Sequence, residues 1–108
     1  MSTPLRAAVV QLSSTLDLEA NLGTAETLTR QAADLGAEIV LLPENFPLIG
    51  SLSHKVAIAE ALPPARPGPI LKRMTALARD LKIPIVLGSI PTKASSPERF
   101  RNTTVILD

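Results

Sequence analysis

The chain has 108 residues, 45% of them hydrophobic, and a formal net charge of +1. That is enough for one small domain with one core, and too apolar for a disordered segment. The balanced charge and a mere two aromatics, Phe46 and Phe100, exclude nucleic-acid and anionic-membrane surfaces, while zero cysteines and one histidine, His54, exclude disulfides, thiolate or His-rich metal sites and thiol nucleophiles within these residues.

No cofactor is expected. The N-terminal segment has no charged region leading into a long apolar stretch, and Ala7-Ala8-Val9-Val10 is far too short for a signal peptide or membrane span. A cytoplasmic address is the expectation.

The first apolar run, residues 6–12, predicts a strand covered on both faces. A helix follows, because Leu18, Leu22, Ala25, Leu28, Ala32 and Leu35 recur at spacings of three and four. Asp17 is placed to cap its start, and Gly36 stands where a left-handed residue closes a helix. Ile39-Val40-Leu41-Leu42 predicts a second, buried strand (38–42). Pro43 cannot donate to a ladder and ends it. This strand–helix–strand unit has a crossover long enough for parallel strands.

Prolines and glycines break up residues 47–69, with a short helix predicted over 56–62. Such an excursion after a strand's carboxyl end often forms a site wall. Ile70, Met74, Leu77 and Leu81 then draw a second helical stripe, with Pro69 suited to its first turn. A third strand is predicted over 84–90, a polar loop over 91–99, and a fourth strand over 103–107. The chain then reaches Asp108 on a β-rich segment, which leaves an apolar edge available for pairing. No internal repeat, low-complexity tract or linker is visible.

The most informative residues are Leu42-Pro43-Glu44-Asn45-Phe46. Glu44 is delivered to the carboxyl end of a core strand, the edge where parallel α/β sheets bind ligands. A carboxylate behind a rigid proline and beside apolar groups is well sited to be a general base. On that ground Glu44 is expected to be partly screened from solvent and to face a concavity.

Taken together, Ala7-Ala8-Val9-Val10-Gln11-Leu12, Asp17, Asn21-Leu22, the run from Ala32 through Phe46, Gly68-Pro69, Leu77-Ala78-Arg79, Gly88-Ser89-Ile90 and Arg101-Asn102-Thr103 resemble the start of the carbon–nitrogen hydrolase (nitrilase) superfamily, in the family's order. The resemblance is strongest to the amidase branch that includes omega-amidase and deaminated-glutathione amidase. It implies an α/β fold, the N-terminal part of a four-layer αββα sandwich, with residues 5–108 as the truncated N-terminal portion of one domain. It also implies hydrolysis of small amides or nitriles by a glutamate, a lysine and a cysteine. Glu44 matches the glutamate. The lysine and cysteine belong to later segments, and Lys55, Lys72, Lys82 and Lys93 do not match the lysine's place.

By that route a thiolate attacks the carbonyl, a carboxylate takes the thiol proton and later activates water, and a cation stabilises the oxyanion. Glu44 fills the second role only. Ser13, Ser14, Ser51, Ser53 and Ser89 are read as lacking a paired histidine, so the chain is expected to be inactive alone. A half-sandwich exposes apolar sheet surface, so a homo-oligomer or an aggregation-prone chain is also expected, with no nucleic-acid or membrane partner.

Plainer roles compete at several positions. His54 reads as a loop histidine. Asn45 and Phe46 either shape a substrate pocket or simply pack. Asn102 reads as a turn residue, and Arg99-Phe100-Arg101 as solvated charge around one partly buried ring. Gly88 either permits close backbone approach or relieves crowding. For the whole chain the rivals are a non-catalytic α/β module pairing through its open sheet, and a flavodoxin-like binding domain. The latter is disfavoured because Gln11-Leu12-Ser13-Ser14-Thr15 is no Gly-rich phosphate loop.

Overall fold

The computed structural model describes residues 3–63 and 65–108; Met1, Ser2 and Pro64, which entered the readings of the N-terminal segment and the proline-rich stretch, lie outside the described residues. In chain order the elements are β1 (Ala7–Val9), α1 (Leu18–Asp34), β2 (Ile39–Leu42), α2 (Leu52–Ile58), α3 (Pro69–Leu81), β3 (Ile85–Lys93) and β4 (Phe100–Leu107). The strands form one sheet in the order β1-β2-β3-β4, parallel from β1 to β3 and antiparallel between β3 and β4. The architecture is mixed α/β, as the alternation of apolar runs and helical stripes predicts.

Local chemistry sets the helix ends. The Asp17 carboxylate accepts from the Ala20 N–H at 3.0 Å and caps α1. At the other end Gly36 takes φ 94°, with Gly36 N–H donating to Ala33 O and Ala37 N–H to Ala32 O, both at 3.0 Å. Those two bonds are the Schellman closure that a left-handed residue allows. Pro69 occupies the first turn of α3.

Leu22 and Ala25 of α1 and Ile70, Leu71, Met74, Leu77 and Ala78 of α3 join Val40, Leu42, Ile85, Leu87 and Ile90 in one buried cluster. Burial of each such large aliphatic contributes roughly 1.5–3 kcal/mol. Leu35 leaves the predicted stripe: it is the C-cap of α1 and is 83% exposed. The opposite sheet face carries Val9, Leu41, Val86 and Ile106, which stand in register across all four strands. Val9 is 79% and Ile106 66% exposed, so the apolar row at this face is open.

Three further expectations change. β1 is shorter than 6–12, although Val10 N–H still reaches Leu41 O at 2.9 Å. The polar loop over 91–99 shrinks, because β3 runs on to Lys93 and β4 begins at Phe100. Pro91 is tolerated because residues 91 and 93 turn their β2-side groups toward Glu60, beyond the end of β2. Pro91 O accepts from Glu60 N–H at 3.2 Å and Lys93 N–H donates to Glu60 O at 2.9 Å. The N–H that Pro91 lacks is therefore not taken from the β3–β4 ladder.

The helix over 56–62 lies earlier, at Leu52–Ile58. Glu60 is drawn out of it because it is buried in two roles. Its backbone bridges β3, and its carboxylate accepts from Ile70 N–H at 2.7 Å and Leu71 N–H at 3.0 Å, capping α3. Gly68 leaves room for that carboxylate; a Cβ there would stand 2.5 Å from Glu60 Cδ.

Candidate functional site

Glu44 is the second residue of a turn that leaves β2. Phe46 N–H closes it on Pro43 O at 3.3 Å, and Asn45 takes the positive φ, 56°, that a type II turn needs at its third position. Asn is among the few residues other than glycine that accept this region readily.

The turn is held from three directions. A β-bulge between Leu87 and Ile90 brings Ser89 beneath it. Ser89 N–H donates to Pro43 O at 3.3 Å, and Ser89 Oγ accepts from Asn45 N–H at 3.2 Å. At the bulge Gly88 lets β3 approach β2 closely, since a Cβ there would lie 1.9 Å from Leu42 O. From α1, buried Asn21 donates through Nδ2 to Pro47 O and Thr15 O, each at 2.8 Å, and accepts from Thr15 N–H at 3.0 Å. From the β1–α1 loop, Ser14 Oγ donates to Phe46 O. Phe46 itself is core, 1% exposed, which decides its role as packing.

The Glu44 side chain is exposed, contrary to the expectation of partial screening. The physical reason is its side of the sheet: its one hydrogen-bonding partner among the described residues is Asn102 Nδ2, 3.4 Å from Oε1, on the face where Thr104 and Ile106 also point. Asn102 is thus a β4 residue opposite Pro91, not a turn residue. Phe100, two residues away on the same face, has Lys55 Nζ 5.8 Å from its ring centroid. Arg99 and Arg101 are exposed beside that half-buried ring, as expected. Asn45 Oδ1 is buried with no partner among the described residues.

His54 lies in α2 rather than in a loop, and Ser51 does have a histidine partner. Ser51 Oγ is 2.7 Å from His54 Nδ1, which also accepts from Ser51 N–H at 3.2 Å. This is a cap of one exposed helical turn. No carboxylate orients the ring and no oxyanion donors converge on Ser51 among the described bonds, so it lacks the parts of a nucleophilic triad. A concavity of about 590 Å³ between β1 and α1 is lined by Leu5, Val9, Leu28 and Leu35 among others and does not include Glu44. Among the described residues no group of His, Cys, Asp or Glu is arranged to hold a metal, and no helix is long and apolar enough to cross a membrane.

Asn21 and Ser89 stand in the motifs of the family resemblance, but their role in holding the turn was not read from the sequence. Asn21 carried a signal: a polar residue three after Leu18 and four before Ala25, on the stripe that had to be buried. For Ser89 the apolar periodicity carried no signal of this role, because a bulge, not the strand's period, turns it under the loop.

Residues 6–108 match the family model described as carbon–nitrogen hydrolase. The chain is 35% identical over 88 residues to the deaminated glutathione amidase of Synechocystis sp., covering 82% of this chain and 31% of that protein. It is 31% identical to the omega-amidase NIT3 of Saccharomyces cerevisiae, covering 100% of this chain and 38% of that one. The crystal structure of yeast Nit3, a member of the nitrilase superfamily, superposes with a TM-score of 0.84 at 30% identity, over 96% of this chain and 40% of that chain. A mutant of the amidase from Nesterenkonia sp. AN1, in a structure showing the result of Michael addition of acrylamide at the active-site cysteine, superposes with a TM-score of 0.73 at 25% identity, over 97% of this chain and 40% of that one. The chain therefore spans roughly a third of the length of these relatives and matches the N-terminal portion of the nitrilase fold. With a family model matched along nearly its whole length and the fold to go with it, this chain belongs to the carbon–nitrogen hydrolase family.

Proposed function

We propose that the chain is the N-terminal part of an amidase-type hydrolase of non-peptide carbon–nitrogen bonds, in which Glu44 is the general base. The observation that carries this reading is the placement of Glu44. A turn anchored by Asn21 and Ser89 presents its carboxylate at the carboxyl end of β2, with one oxygen free of any bond among the described residues. In this reading Glu44 takes the proton of a thiol and later activates the water that releases the acyl group. No residue of the chain is a cysteine, so the thiol comes from outside these 108 residues, as does the cation for the oxyanion. Small amides of dicarboxylic acids are the substrate class favoured by the likeness to omega-amidase.

The test is a fusion in which this chain replaces the matching segment of the yeast relative. Ammonia release from a dicarboxylic-acid monoamide is expected, and Glu44→Gln should lower it by about 10²–10⁴-fold, the usual contribution of a positioned base. A folded fusion whose turnover survives that substitution would overturn the assignment.

The open apolar row favours a second reading, a non-catalytic module that pairs with another chain through this sheet face. A folded fusion with no activity, together with a stable oligomer of the 108-residue chain, would favour it over the first.

A further inference from the structure

We propose that Asn102 is the positioning residue for the Glu44 carboxylate, an inference that rests on Glu44 being the base. The turn around Glu44 is fixed through its backbone: Pro43 O, Asn45 N–H, Phe46 O and Pro47 O all have partners from β3, α1 or the β1–α1 loop. None of those bonds acts on the Glu44 side chain, which has several rotatable bonds and stands exposed. Its one hydrogen bond among the described residues comes from Asn102, 58 residues later in the chain.

The chemistry fixes the direction of that bond. A carboxylate only accepts, so the amide must turn Nδ2 and not Oδ1 toward Glu44. Donation to Oε1 gives the two oxygens different tasks. Oε1 is held, and Oε2 is the one left to take a proton. A neutral donor suits this role better than a cation, because an adjacent guanidinium would favour the charged carboxylate and weaken it as a base. Arg101, the next residue, alternates to the other side of β4, where Thr103, Val105 and Leu107 lie, and so does not supply that charge. The backbone of Asn102 is set by the sheet: it sits within β4, paired opposite Pro91, four residues along from Ile106 on the open face. The register of a strand therefore aims the carboxylate that a turn delivers.

Two measurements test this. In the 108-residue chain, the Asn102 side-chain amide signals in a ¹⁵N–¹H NMR spectrum should move on acidification, and that movement should be lost in Glu44→Gln. Signals that do not follow Glu44 overturn the inference whether or not Glu44 is the base. In the fusion with the yeast relative, Asn102→Leu should lower kcat by about tenfold, with KM changed less than about twofold, because misplacing a reacting group affects turnover more than binding. Asn102→Gln, which keeps the amide donor, should recover most of the loss. An unchanged kcat in Asn102→Leu, in a fusion that Glu44→Gln inactivates, overturns the positioning role and leaves the base standing. Full turnover in Glu44→Gln instead overturns the base and the positioning role with it.

Discussion

Asn21 illustrates how far the turn that carries Glu44 depends on a side chain from another element. Its amide bonds the buried Pro47 O and the N–H and carbonyl of exposed Thr15. Replacing it by the similarly sized leucine would take from the buried Pro47 O its donor, at about 1–3 kcal/mol, while exposed Thr15 turns to water and its carbonyl keeps the Ile49 N–H. Asn21→Leu is expected to destabilise the chain by about 1–3 kcal/mol, read as a lower urea midpoint. Gly88 makes the complementary case. A Cβ there would stand 1.9 Å from the Leu42 carbonyl oxygen, which is backbone and cannot swing aside. Gly88→Ala should cost at least about 1–3 kcal/mol and push β3 from β2, disturbing the Ser89 contacts under the turn. Circular dichroism melts of the two variants, beside the exposed control Thr27→Ala, measure both effects.

At the scale of elements, α1 and α3 are clamped by ions as well as by their apolar faces. Arg73 bonds Glu26 at 2.9 Å and Glu19 at 2.8 Å, while Arg30 bonds Glu26 at 3.1 Å and Asp80 at 2.7 Å. The hydrogen bond from Arg73, then that from Arg30, holds the Glu26 carboxyl below its ordinary value. A carboxyl depressed in the folded state stabilises the fold fully above its unfolded value. That contribution is lost as pH falls through the unfolded value toward the folded one. Arg73→Gln should therefore cost about 0.5–1 kcal/mol near neutral pH, a modest figure because the pair is partly exposed. The gap to the parent should close as pH drops below the ordinary glutamate range; urea midpoints at neutral and strongly acidic pH, at low salt, check the sign. Glu60 anchors α3 differently, by its bidentate bonds to Ile70 and Leu71. Glu60→Ala should cost about 1–2 kcal/mol from the lost cap and raise amide exchange in the first turn of α3.

Across the whole molecule the two sheet faces are unequal. One is sealed by α1 and α3, and the other exposes the row from Val9 to Ile106. Apolar surface of this kind favours association, which is the basis of the proposal that the chain self-associates. If so, Ile106→Lys should lower the weight-average mass seen by light scattering and increase solubility. An unchanged mass would locate any association elsewhere, the outer edge of β1 being the next surface to alter.

Much of this was readable from residue order. Period and punctuation placed both long helices, the cap at Asp17, the left-handed Gly36, the end of β2 at Pro43 and the strand cores, because these depend on neighbours a few residues away. Glu44's place after β2 was legible for the same reason. What the tertiary structure alone decided concerns partners distant in sequence. Glu60 left its predicted helix because α3 and β3 offered its carboxylate and backbone better bonds. Ser89 turned inward because a bulge shifted the register. Asn102 met Glu44 because β4 paired with β3 and reached farther back than its apolar alternation suggested. The exposure of Glu44 was likewise undecidable locally, since solvent access depends on what covers a sheet face and not on which residues flank the side chain. Local sequence determines dihedral preference and periodicity; the register between strands, which no single segment encodes, determines which side chains meet.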